Sequence, residues 1–223
     1  MSSTSRRRWY DDACGTALAL ELVGERWALL VVRDLILGPK RFTDLRLGLP
    51  RIPSNILAAR LKELEQVGIV RRRVLPRPAT GVVYELTPYG AELEDVVLRF
   101  GRWGAKSLGD PQPDDTLTVD TLTLALRATF EPAAARGVQV SYELHVGPVT
   151  LHARIKDGRL EVGPGRLPGA DLVIHAGPLF KRLIARELTP AEALESGSVH
   201  IEGDAKKFDR FVELFRIPPV PIG

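Results

Sequence analysis

The sequence predicts an α+β protein of two domains: helices closed by a hairpin in the N-terminal half, and an antiparallel-type sheet packed on helices in the C-terminal half. Three observations predict it. Apolar residues recur at helical spacing through residues 54–67 and are followed at once by two β-rich segments. Beyond residue 137, apolar and polar residues alternate, the two-residue period of strands with one buried face. Between the halves, GDPQPDDT, residues 109–116, crowds Pro, Asp and Gly together without an apolar period and marks a linker. Domains are therefore expected over residues 10–108 and 117–216.

Charge divides in the same way. Residues 1–109 carry 18 Lys and Arg against 12 Asp and Glu, and residues 110–223 carry 13 against 16. A basic half suits a polyanion, and an acidic half a different partner. The single Cys14 excludes an internal disulfide framework. No leading apolar run resembles a signal peptide or reaches membrane-spanning length, so a cytoplasmic location without membrane insertion is expected.

The N-terminal elements follow in order. KRFTDLRLGLP gives a short helix carrying Phe42 and Leu45, then a turn through Gly48 and Pro50. In RIPSNILAARLKELEQVGIV, Leu57, Leu61 and Leu64 stand at i, i+4 and i+7, one stripe of a helix. Asn55, Ala58, Ala59, Lys62 and Gln66 fall on the opposite side. Pro53 suits the start of this helix and Gly68 its exit. Segments 69–75 and 82–86 read as strands, and PRPATG forces a turn between them. A hairpin behind a helix-turn-helix is a winged helix. Its helix fits the DNA major groove, and Arg71, Arg72, Arg73 and Arg77 of the hairpin suit flanking phosphates. The alternative is a three-helix core with a solvated basic hairpin, since this geometry also serves protein-binding domains.

These residues carry a resemblance. The N-terminal Cys14, Gly24 with Trp27 opening a helix, RFTDL, a helix ending RLKELEQVGIV and YELTPYG closing the hairpin resemble the HxlR-type, MarR-like winged-helix regulators over residues 10–107. The resemblance implies a two-fold dimer on double-stranded operator DNA, with residues 54–66 as the recognition helix. The DNA-facing candidates are Arg51, Ser54, Asn55, Ala58, Ala59, Arg60 and Lys62, joined by the hairpin arginines. Two family features differ. Cys14-Gly15 stands where Cys-Pro is common, and Pro53-Ser54 where Ser-Pro is common. Ala58 and Ala59 replace polar side chains, which leaves direct base readout to Asn55, Arg60 and Lys62. In some relatives the N-terminal cysteine is a sensor; Arg6, Arg7 and Arg8 near Cys14 would favour its thiolate. A free structural cysteine is the competing reading.

TPYGAELEDVVLRFGRWGAKSL opens with Thr87 as N-cap and Pro88 at the first helical position. It then sets Leu93, Val96, Val97, Phe100 and Trp103 at helical spacing. That stripe fits either the domain's own core or a homodimer interface.

In the second half, residues 117–130 read as a helix with Leu122, Leu126 and Phe130 on one face. Val138, Val140, Tyr142 and Leu144 alternate with polar residues, as do Val149, Leu151, Ala153 and Ile155. KDG makes a tight hairpin into RLEVG, and ADLVIHA supplies a further strand. Helical GPLFKRLIARE and TPAEALES, a short strand SVHIEG and a final helix DAKKFDRFVELF complete the layers. This order, with TPAEAL followed by SGSVHIEGD, resembles the sterol carrier protein type 2-like fold over residues 117–216. The resemblance implies an apolar small-molecule ligand held between sheet and helices, without catalysis. Candidates for its pocket are Val140, Tyr142, Leu151, Leu172, Ile174, Phe180, Leu183, Phe208, Phe211 and Phe215; each is equally a candidate for plain core. The closing RIPPVPIG lacks the peroxisomal address of some carriers.

Enzyme chemistry finds no foothold. His145, His152, His175 and His200 fall on separate strands without the short paired spacing of a metal site, so neither metal nor cofactor is expected. There is no GxSxG or GxxxxGK[ST] motif, and GPGRLPG reads as a loop. The expectation is a transcriptional regulator, a repressor with an apolar effector. Two alternatives stay open: a lipid carrier with a basic docking module, and a ligand-blind regulator whose C-terminal half only oligomerises.

Overall fold

The computed structural model describes residues 10–112, 115–177 and 180–219. Arg6, Arg7 and Arg8, two residues of the linker (113 and 114), residues 178 and 179 of the helical segment after Ala176, and the last four residues lie outside the described residues. Contacts divide the chain into two compact units, with the division between Val97 and Leu98.

The first unit begins with α1 (Gly15–Val23), α2 (Ala28–Leu35), α3 (Phe42–Gly48) and α4 (Ser54–Gln66), followed by β1 (Val70–Leu75) and β2 (Gly81–Leu86). Its core is built from Val31, Val32 and Leu35 of α2, Leu45 of α3, Leu57, Leu61 and Leu64 of α4, and Ile69 and Val70. The expected leucine stripe is thus the buried face of α4. The helix exits through Gly68, whose φ of +74° other residues adopt only with strain. β1 and β2 pair antiparallel from Val70↔Leu86 to Leu75↔Gly81. Lys40 bridges the far edge of β2, exchanging backbone hydrogen bonds with Tyr84 at 2.8 and 2.9 Å.

The following helix differs from the single one the sequence predicts: α5 (Pro88–Ala91) and α6 (Leu93–Ala105) are separated at Glu92. Thr87 caps α5 as expected, its hydroxyl accepting from the Gly90 amide at 3.0 Å while donating to the Gly68 carbonyl at 2.6 Å. A Cβ on Gly90 would stand 2.0 Å from the Ile69 carbonyl oxygen. This close approach wedges the first turn against the root of β1, a tertiary constraint that helical periodicity does not reveal.

The second unit contains α7 (Val119–Thr129), β3 (Gln139–Val146), β4 (Val149–Lys156), β5 (Arg159–Pro164), β6 (Leu172–Ala176), α8 (Phe180–Ile184), α9 (Pro190–Glu195), β7 (Val199–Gly203) and α10 (Ala205–Leu214). The sheet order is β5-β4-β3-β6-β7. All pairings are antiparallel except the central β3–β6 pair, which is parallel because the chain crosses from the β4–β5 hairpin back to the free edge of β3. The inward residues of each strand and the aromatic faces of α8 and α10 form one apolar cluster. Asp204 caps α10, and Thr189 with Glu192 forms a reciprocal capping box on α9.

Tyr142 is fully buried in this cluster, edge-on to Phe211, and donates its hydroxyl to the Lys207 carbonyl at 3.1 Å. Burial pushes its pKa up, so the folded state holds the neutral phenol where an unfolded tyrosine ionises near ~10. The stability this group contributes is complete below that pH and declines as pH rises above it, by about 1.4 kcal/mol per unit. Tyr142→Phe is expected to lower stability at pH 8 by about 1 kcal/mol, through the lost hydrogen bond. It should also show a shallower loss than wild type between pH 10 and 11.5, measured by denaturant titration.

Candidate nucleic-acid interface

The leucine stripe decides what α4 presents to solvent. With Leu57, Leu61 and Leu64 buried, Ser54, Asn55, Ala58 and Lys62 are exposed, and Ala59 is half-buried. Arg60 is not presented with them: its guanidinium lies against Glu63 at 2.5 Å and Glu25 at 3.6 Å. That leaves Ser54, Asn55 and Lys62 as the polar candidates exposed on this face. Arg51 lines a cleft of about 350 Å³ beside the N-terminus of α4, with Arg26, Trp27 and Pro53. Arg26 lies over the Trp27 ring at 5.3 Å. Arg26 is not part of any apolar stripe or basic run in the sequence, and it stands beside Trp27, whose backbone is left-handed (φ +79°).

Strand alternation sorts the hairpin arginines. Arg71 and Arg73 share one face and both bind Glu85, with Nε–H donating to its two carboxylate oxygens at 2.8 and 2.9 Å. Arg72, opposite Tyr84, projects from the other face, and Arg77 is exposed in the turn. The four arginines therefore form no single patch. Arg41 donates to the Thr80 carbonyl at 3.0 Å and ties the hairpin turn to the start of α3.

On α6 the five stripe residues separate. Leu93 and Val97 are half-buried against the first unit's core. Val96, Phe100 and Trp103 are 53%, 59% and 66% exposed, and the two rings stack at 5.8 Å. Cys14 caps α1 and is exposed; the amides of Ala17 and Thr16 hold its thiol below the ordinary cysteine pKa.

In the second unit, the ten candidate pocket residues are all buried within the apolar cluster. None lines the cleft of about 690 Å³ at the end of the sheet, formed by His145, Gly147, His175, Ala176, Gly177, Gly197, Ser198 and His200. Separate strands here do not mean separate side chains. The register places His145, His175 and His200 in one row across β3, β6 and β7, with the first two rings stacked at 4.5 Å. His145 donates to Glu143 at 2.7 Å, and His175 to Glu202 at 2.8 Å. Burial opposes ionisation of Glu143, but the Leu167 amide and His145 hold its pKa below the usual carboxylate value. Among the described residues, no three His, Cys, Asp or Glu form a group able to hold a metal ion.

A winged helix with an exposed polar helix face and a basic hairpin, joined to a sheet-and-helix domain of sterol carrier type, defines a DNA-binding transcriptional regulator with an accessory domain. The chain belongs to the HxlR-like helix-turn-helix family, which it matches over residues 22–112; residues 122–216 match the SCP-2 sterol transfer family. It is 40% identical over 99 residues to the HTH-type transcriptional regulator YodB of Bacillus subtilis (strain 168), covering 44% of this chain and 86% of that relative. To YdeP of the same organism, an uncharacterized HTH-type transcriptional regulator, it is 35% identical over 95 residues, covering 43% and 74%. Among solved structures, reduced YodB from B. subtilis is similar with 38% identity and a TM-score of 0.39, covering 47% of this chain and all of that one. No helix among the described residues is long and apolar enough to cross a membrane.

The two faces of α4 should respond differently to mutation. Asn55→Ala and Lys62→Ala are expected to change DNA affinity while shifting stability by no more than ~0.5 kcal/mol. Leu61→Ala should cost about 2–5 kcal/mol. Duplex binding and urea denaturation, measured on the same variants, check both.

Proposed function

We propose that this regulator is a homodimeric repressor that blocks its promoter and is tuned by an apolar small molecule in its C-terminal domain. Residues 10–108 serve DNA binding and dimerisation, residues 109–116 connect, and residues 117–216 take the ligand. The exposed Val96-Phe100-Trp103 stripe carries the dimer reading, since it stands at i, i+4 and i+7 on a helix with no fully buried residue. A two-fold partner would cover it and would match the two half-sites of a palindromic operator, about one helical turn or ~34 Å apart. The effector reading is supported by the SCP-2 family match. The dense burial of all ten candidate pocket residues favours a second reading, a ligand-blind regulator whose C-terminal half has a structural role. Apolar extraction of purified protein followed by mass spectrometry separates the two.

Phe100→Ala with Trp103→Ala is expected to convert dimer to monomer in sedimentation; a folded double variant that stays dimeric rejects this interface. For the effector, an operator selected from a random duplex pool is titrated with and without a fluorescent fatty acid as probe. A coupling of about 1–3 kcal/mol, or 5- to 150-fold, is expected, and the operator must change probe affinity by the same factor. Equal affinities for a bound probe in both conditions leave the C-terminal domain a passive carrier.

A further inference from the structure

The wing holds a carboxylate where a DNA-binding surface would be expected to hold none. Glu85 lies beneath two exposed arginines: its side chain is 12% exposed, against 61% for Arg71 and 43% for Arg73. Cross-strand pairing sets Glu85 directly opposite Arg71, and Arg73 reaches it diagonally along the same face. Each guanidinium gives Glu85 its Nε–H. An arginine has five N–H donors, so the four on the two Nη atoms of each remain for another acceptor.

We infer that Glu85 is a positioning residue for DNA binding: it fixes Arg71 and Arg73 side by side as a clamp whose free Nη groups grip the phosphate backbone. The inference rests on the DNA-binding reading and assigns part of it to one buried side chain. Without the carboxylate, two like charges on one strand face repel, and each long side chain recovers its rotamer freedom before it meets DNA. The bond from Arg73, together with that from Arg71, keeps the Glu85 carboxyl below its usual pKa, so the anchor stays charged at neutral pH.

The test uses the full chain and a random-sequence duplex, with affinity followed over a salt series. Each phosphate contact contributes about 0.9 to the slope of log affinity against log salt. Glu85→Ala is expected to flatten that slope by about 1–2 and to have no further effect in an Arg71→Ala, Arg73→Ala background. Glu85→Gln, with one accepting oxygen, should fall between. Thermal melts identify variants that fail to fold, for which the Gln variant is read instead. Tighter binding with an unchanged or steeper slope means that Glu85 merely neutralises the arginines and overturns the proposal. An equal loss in the double-arginine background overturns it too, as a general effect on the hairpin. If removing both arginines leaves the slope unaltered while wild type binds, the clamp is rejected and DNA binding stands. If wild type does not bind duplex, the reading beneath it fails.

Discussion

Burial of Leu57, Leu61 and Leu64 is the constraint on which the N-terminal domain depends. Each fully buried leucine stabilises by about 1.5–3 kcal/mol, and together they fix the rotation of α4 about its own axis. A one-residue shift in that rotation would carry the stripe some 100° into solvent. Ser54, Asn55, Ala58 and Lys62 are therefore exposed as a consequence of what is hidden behind them. The same core receives Ile69 and Val70, so the root of the hairpin is anchored to the helix it flanks.

The C-terminal domain rests on a comparable division between faces. Val140, Tyr142, Leu144 and Val146 point into the apolar cluster, while Glu143 and His145 point away from it. Aromatic contacts among Phe180, Phe211 and Phe215 close the helical side. Two ion pairs bind the segment following Val97 to this domain, Arg102 with Glu131 and Asp110 with Arg182. The start of the expected linker is thus fastened to the domain it precedes.

Local pattern made most of the fold legible. The α4 stripe, the Thr87 cap and the alternation in β3 and β4 each express a period or a turn preference contained within a few residues. Features set by distant contacts were not legible. The close approach of Gly90 to the Ile69 carbonyl, beside the break at Glu92, joins residues far apart in the sequence, and the histidine row depends on register among β3, β6 and β7. Arg60 and Lys62 looked equivalent as exposed cations until Glu25 and Glu63 distinguished them. The different directions of Arg71 and Arg72 follow from strand alternation alone and were within reach of the sequence. Pocket and core use the same residue types, so sequence could name the region around Phe208 and Phe211 but not divide it.

The hairpin's edge has a further consequence, for how the protein behaves in a crowded solution. β2 is flanked on both sides, by β1 and by Lys40, but among the described residues β1 pairs only with β2. Its outer side is a row of unpaired backbone groups, the kind of template that recruits strands from other molecules. Three consecutive arginines occupy that strand, and a second copy approaching edge to edge would bring three more. With Arg71 and Arg73 sharing the one carboxylate of Glu85, each copy keeps a net positive charge along this strand, and like charge on two copies opposes such strand addition.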